Sequence, residues 1–229
     1  MKRTYVLISI GIVLFCTVSC AGAASSMPVV LVTGFAPFGN YTVNPSGLIA
    51  ETLNGSTVAG ALVVGVVLPV DYNESVEIAL QAIQQYQPVL VISCGLNARA
   101  QNVHVEKIAV NLRRYDLGNG HLSFPKQIDV AGPMVRTSRL PVGKLVKAIR
   151  EANLSAQQSF FAGMYVCNCL FYKLLKYAYE HNDSTVVGFL HVPLLDSQSP
   201  QGMALGDMVD TVTLVIQTSL ASSDAQIRC

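Results

Sequence analysis

Cys167 is the residue whose setting says most about chemistry. It lies in Ala162-Gly163-Met164-Tyr165-Val166-Cys167-Asn168, directly before the apolar run Leu170-Phe171-Tyr172-Lys173-Leu174-Leu175. Small residues followed by helical spacing put the thiol in the first turn of a helix. There, unpaired backbone N–H groups and the positive end of the helix dipole favour a thiolate, the nucleophilic form. A packed helix cysteine is the alternative, and the commoner fate of a lone cysteine. Downstream, His191 ends the strand-like Gly188-Phe189-Leu190-His191-Val192, which Pro193 terminates. It therefore sits at a strand's carboxyl end, where open α/β sheets bind ligands. A core histidine bonded to backbone is the competing reading. Upstream, Glu106 stands among β-branched neighbours in Val103-His104-Val105-Glu106-Lys107-Ile108. It is either an exposed strand residue, which base rates favour, or a partly buried carboxylate with a partner. Cysteine, histidine and acid form a constellation with a mechanism: nucleophile, base, and a group that orients the base. The settings of His104, His121 and His181 suit surface or loop roles.

The elements that must position these residues alternate in the α/β manner. Residues 28–34 and 89–95 are unbroken apolar strands that end in glycine, 61–68 is valine-rich, and 185–192 is a further continuous strand. Residues 103–112 are partly alternating and strand-like. Helical spacing marks 46–53, 75–86, 141–151, 167–179 and 208–220; in the second of these Val76, Ala79, Leu80 and Ile83 form one face. Strands apolar throughout are buried on both sides, which predicts a three-layer α/β/α sandwich around a largely parallel, mixed sheet. The stretch 113–138 is rich in Gly, Asp and Pro, lacks periodicity and reads as a long loop.

Composition narrows the function classes. The chain has 229 residues, 51% of them hydrophobic and 13% charged, with a net charge of +1. That fits one large domain with a substantial core and gives no sign of a nucleic-acid or acidic partner. None of the six cysteines forms a C-x-x-C pair, so neither a zinc site nor a thioredoxin-like motif is supported. Thr33-Gly34-Phe35-Ala36-Pro37-Phe38-Gly39 lacks the G-x-G-x-x-G of a dinucleotide loop. Its two phenylalanines suit the wall of an apolar pocket. Residues 1–26 read as a signal peptide or N-terminal anchor: Met1-Lys2-Arg3, an apolar stretch too short for a comfortable membrane span, then Ala21-Gly22-Ala23. The protein is expected to be exported or membrane-associated if Met1 is the true start, and cytoplasmic if translation starts at Met27. Residues 27–229 make the single folded domain.

Four ordered motifs in that domain resemble the pyroglutamyl-peptidase I (pyrrolidone-carboxylate peptidase) family of cysteine peptidases. They are Thr33-Gly34-Phe35-x-Pro37-Phe38-Gly39 with Val43-Asn44-Pro45-Ser46, Glu106-Lys107-Ile108-Ala109-Val110-Asn111, Ala162-Gly163 with Val166-Cys167-Asn168, and Gly188-Phe189-Leu190-His191-Val192-Pro193. The resemblance implies Cys167 as nucleophile, His191 as general base and then acid, and Glu106 as the residue that orients His191. It also implies Phe35, Phe38, Asn44, Leu117, Tyr165 and Val166 as the lining of the lactam site. The substrates would be peptides with an N-terminal pyroglutamate. No metal and no cofactor would be needed, and a homo-tetramer is a further implication. Arg113-Arg114-Tyr115-Asp116-Leu117-Gly118 stands where the family usually carries an Asp-Ala-Arg-Ile-Pro-Asp loop. A thiol hydrolase with shifted N-terminal acyl or lactam specificity is therefore a second reading. A non-catalytic pyroglutamyl-peptide binder is a third, and the presence of all three catalytic residue types argues against it.

Overall fold

The computed structural model describes residues 27–115, 121–181 and 184–227. The signal-like segment 1–26 and Leu117 lie outside them. The apolar runs do form the central strands: β1 (Val29–Phe35), β3 (Ala61–Leu68), β4 (Leu90–Leu96) and β9 (Val186–Val192). With β2 (Thr57–Val58), β5 (Val103–Glu106) and β8 (Ala156–Ser159) they make a seven-stranded sheet of order β2-β3-β1-β4-β9-β5-β8. The β3-β1-β4-β9 centre is parallel, whereas β5 runs antiparallel to β9. That reversal sets the start of β5 beside the end of β9, with His104 opposite His191 and Glu106 opposite Phe189.

Helices cover both faces. On one side, α1 (Pro45–Leu53), α3 (Val142–Glu151) and α5 (Leu205–Ile227) close a core that contains Val32, Ile92, Cys94, Val105 and Leu190. On the other, α2 (Glu74–Tyr86) and α4 (Val166–Glu180) pack over Leu31, Val91, Val187 and Phe189. The period-two alternation of each strand sends neighbouring residues to opposite cores. Gly34 lets α1 rest directly on β1, because a Cβ there would collide with the Ser46 carbonyl.

Two expectations need correcting. The strand-like stretch 103–112 is broken at Lys107: β5 stays in the main sheet, while β6 (Ile108–Val110) leaves to form a small antiparallel sheet with β7 (Val135–Thr137). The Lys107 N–H donates to Ser159 and its carbonyl accepts from Ser138, which pins the break. The stretch read as a long loop, 113–138, therefore contains a strand. The buried Asn111 organises it: Oδ1 accepts from the N–H groups of Ile128 and Asp129, and Nδ2 donates to the carbonyls of Asp129 and Gly132. A three-residue strand is too short to leave a period in the sequence.

Candidate active site

Cys167 is the second residue of α4. Tyr165, the residue before the helix, is extended and makes no side-chain cap, so it leaves the first-turn N–H groups without a side-chain acceptor from the N-cap. The turn is held in place by the next residue, Asn168, which is fully buried. Its Oδ1 accepts from Val110 N–H at 2.9 Å, and its Nδ2 donates to the carbonyls of Val110 at 2.8 Å and Leu112 at 2.9 Å. The nucleophile's helix is thereby fastened to the chain that follows Glu106.

The sulfur comes to rest over β4. A Cβ on Gly95 would lie 2.8 Å from Cys167 Sγ and 2.9 Å from Phe189 Cζ, so the missing side chain makes the seat. Gly95 is the register partner of His191 across the β4–β9 ladder. The sulfur and the imidazole are thus brought together by two adjacent strands and one helix start. His191 is 7% exposed and Glu106 is fully buried. Glu106 Oε1 and His191 Nδ1 are 2.8 Å apart. With Nδ1–H donated to the carboxylate, Nε2 is left for the sulfur, and a side-chain hydrogen bond joins His191 to Cys167. The Phe189 ring packs against the imidazole with centroids 4.9 Å apart.

Burial of His191 disfavours its charged form. The hydrogen bonds to Cys167 and Glu106, and the charges of those two groups, outweigh burial and raise its pKa to about 9. The imidazole therefore holds a proton at neutral pH. The other thiols differ. Burial raises the Cys94 thiol to about 12 in the opposite core, and burial also raises Cys169, against the field of Arg113. Base rates favoured a solvated Glu106; the buried pair with His191 replaces that reading.

The residues expected to line a lactam site divide into groups. Phe38 and Tyr165 are partly exposed, at 38% and 43%. Phe35 and Val166 are buried in the α2/α4 core. Asn44 is a brace: its Oδ1 accepts from the Ser46 N–H and hydroxyl, and its Nδ2 donates to the Ala36 carbonyl. Arg113 lies over the rings of Tyr72 and Tyr115, toward Cys169, and the Arg114 N–H donates to Met164, which ties the 113–115 segment to the approach to α4. A cavity of about 460 Å³ lies at the other end of α4, between Arg136, Leu175, Tyr179 and Val187, away from the thiol. Sequence reasoning missed Gly95 and Asn168. The strand-end glycine and the residue after the cysteine were in view, but their roles depend on partners distant in the chain.

Comparison with known proteins follows the same lines. A family model described as pyroglutamyl peptidase matches residues 28–228. A pyrrolidone-carboxylate peptidase of Mycobacterium bovis is 36% identical over 206 residues, covering 88% of this chain and 91% of its own. One from Halalkalibacterium halodurans is 34% identical over 196 residues, covering 82% and 98%. Among solved structures, the pyrrolidone carboxyl peptidase of Thermococcus litoralis superposes with a TM-score of 0.82 at 28% identity, over 87% of this chain and 96% of that one. Pyroglutamyl peptidase I of Bacillus amyloliquefaciens gives 0.79 at 29% identity, over 85% and 97%.

Proposed function

The chain belongs to the pyroglutamyl peptidase family of hydrolases that remove N-terminal pyroglutamyl residues, and on that premise we propose that Cys167, His191 and Glu106 carry the reaction in this protein. One observation carries the assignment: a buried Glu106–His191 pair at 2.8 Å stands beside the strand glycine on which Cys167 Sγ is seated. The sulfur attacks the pyroglutamyl carbonyl carbon, and the carbonyl π electrons move to oxygen. The N–H groups of the uncapped α4 turn stabilise that oxyanion. As the C–N bond breaks, His191 gives its proton to the departing amine and a thioester remains. Neutral His191 then takes a proton from water, whose oxygen attacks the thioester carbonyl. Pyroglutamate leaves, and the proton returns to the sulfur–imidazole pair. Glu106 holds Nδ1–H throughout, fixing the ring and supporting its charge.

Phe38 and Tyr165 offer an apolar rim to the flat, uncharged lactam. An ordinary N-terminal ammonium would be desolvated there without a partner, which gives the discrimination. The steps call on no metal and no cofactor. The homo-tetramer implied by the family is proposed for this chain, with sedimentation equilibrium as its measure. Export directed by residues 1–26 is also proposed, and N-terminal sequencing of the mature protein reads it directly.

The test is fluorophore release from a pyroglutamyl amide under reducing conditions. Cys167→Ala should lower kcat/KM by about three orders of magnitude or more. Cys169→Ala, at a core thiol, should stay within a few-fold of the parent. Substantial turnover by the Cys167 variant removes the mechanism, and equal cleavage of ordinary aminoacyl amides removes the pyroglutamyl specificity.

A further inference from the structure

Next to the three residues assigned to the reaction stands an ionisable group that the mechanism does not use. His104 is the register partner of His191 across the antiparallel β5–β9 ladder. It precedes Glu106 by two on the same strand, so both project from one face of the sheet. On its other flank, β8 places Gln157 opposite His104, and the two side chains meet Nε2 to Nε2 at 2.8 Å. With the amide nitrogen donating, His104 Nε2 accepts and its ring proton sits on Nδ1. Glu106 spends Oε1 on His191, while Oε2 is buried and has no hydrogen-bond partner among the described residues. A partly exposed histidine, bonded to an exposed glutamine, thus shares a strand face with the most deeply buried charge of the site.

We propose that His104 is a positioning residue for the Glu106–His191 pair: while neutral it leaves the Glu106 charge committed to His191, and when protonated it withdraws that support.

The groups that face it set the sign. Glu106 on its own strand favours a proton on His104, and His191 on β9 opposes it. Gln157 on β8 is uncharged and donates to the nitrogen that a second proton would occupy. The other face of β5, toward α3, presents Val103 and Val105 to the apolar core. Partial burial is the largest influence and lowers the pKa of His104 below the usual histidine value. His104 is therefore neutral where the enzyme works and takes up a proton only on the acid side. That proton places a second cation beside the Glu106 carboxylate and across the ladder from the His191 imidazolium. Both effects disfavour the protonated His191 that the leaving amine needs.

This inference rests on the Glu106–His191 reading, and the experiment separates the two. kcat/KM for a pyroglutamyl fluorogenic amide is followed against pH for the full chain, for His104→Gln, and for Gln157→Leu. His104→Gln should move the acid limb down by about half a pH unit or more, reduce its slope by one proton, and leave the alkaline limb in place. Gln157→Leu removes the donor to Nε2 and should move the same limb up. The exposed Gln157 position keeps the test available if the His104 variant folds poorly. A limb that stays put in the variants, or a profile scaled down uniformly, overturns the role of His104. Loss of activity in His191→Ala would then still stand, whereas activity surviving that change would instead strike down the reading on which the inference rests.

Discussion

Residue by residue, the site works because of what each position's partner allows, and Gly95 shows this most sharply. Its missing side chain leaves the space that Cys167 Sγ occupies, directly across from His191. A methyl group there would sit 2.8 Å from the sulfur and 2.9 Å from the Phe189 ring, inside normal contact distance. Neither neighbour yields easily, since the sulfur is in a helix turn tied down by Asn168 and the ring is fully buried. Gly95→Ala should therefore lower kcat at least about tenfold with a smaller change in KM, because a small displacement of a reacting atom is costly. It should also slow alkylation of Cys167 by iodoacetamide, while overpacking lowers stability by about 1–3 kcal/mol. Turnover and alkylation within twofold of the parent would show that the sulfur does not depend on this space. Glu106 illustrates how far single residues were legible. The sequence shows its β-branched neighbours but not its partner, His191, which lies 85 residues away. The residue types offered it as the acid of a constellation and the family motif implied its role, but only the fold shows the carboxylate buried. His104, which suited a surface or loop role, turns out to be the register partner of His191 for the same reason.

Among the elements, α4 and the β5–β6 segment act as one unit, and Asn168 is the joint. Three hydrogen bonds from one buried amide clamp the first turn of α4 to Val110 and Leu112, just after the strand that delivers Glu106. Asn168→Ala leaves those backbone groups without their partner, which should cost about 2–4 kcal/mol of stability for three lost bonds. Asn168→Asp keeps the shape but cannot donate to the two carbonyls, so it should be no better. Both should lose activity out of proportion to the fraction unfolded, since Cys167 is the residue directly before the joint. Urea unfolding together with kcat on the folded fraction measures the two effects, and undiminished turnover by folded enzyme would reduce Asn168 to a stability device. The central elements were readable because their patterns are long: continuous apolar strands and a helix face repeating at Val76, Ala79, Leu80 and Ile83. The edges were not. β8 is Ala-Gln-Gln-Ser, polar because its central residues are exposed, and β7 is three residues inside a segment rich in turn formers. Both are specified by their neighbours: β8 by pairing with β5, β7 by pairing with β6 and by the Asn111 hub. The antiparallel turn of β5, which aims Glu106 at His191, likewise has no local signature.

At the scale of the whole molecule, the sheet separates the thiols of the described residues, with Cys94 in the core under α1, α3 and α5 and Cys167 and Cys169 on the α2/α4 side. The catalytic charges meet where that second layer opens at the carboxyl edge of the sheet, and their burial couples chemistry to stability. Unfolded, His191 titrates near 6.5; folded, it is raised to about 9. A raised pKa means that the folded state binds the proton more tightly. The stabilisation is therefore complete below pH 6.5 and is lost as the pH climbs through 9. At 1.36 kcal/mol per unit the change is about 3 kcal/mol, a large part of the stability of a domain this size. Urea unfolding of the parent should thus show stability falling between pH 6.5 and 9.5, with kcat/KM declining over the upper part of that range as His191 loses the proton it gives to the leaving amine. His191→Gln should flatten the stability curve across that interval, since the group whose proton is linked to folding is gone. A slope equally steep in the variant would place the linkage elsewhere and detach the alkaline loss of activity from the His191 imidazole.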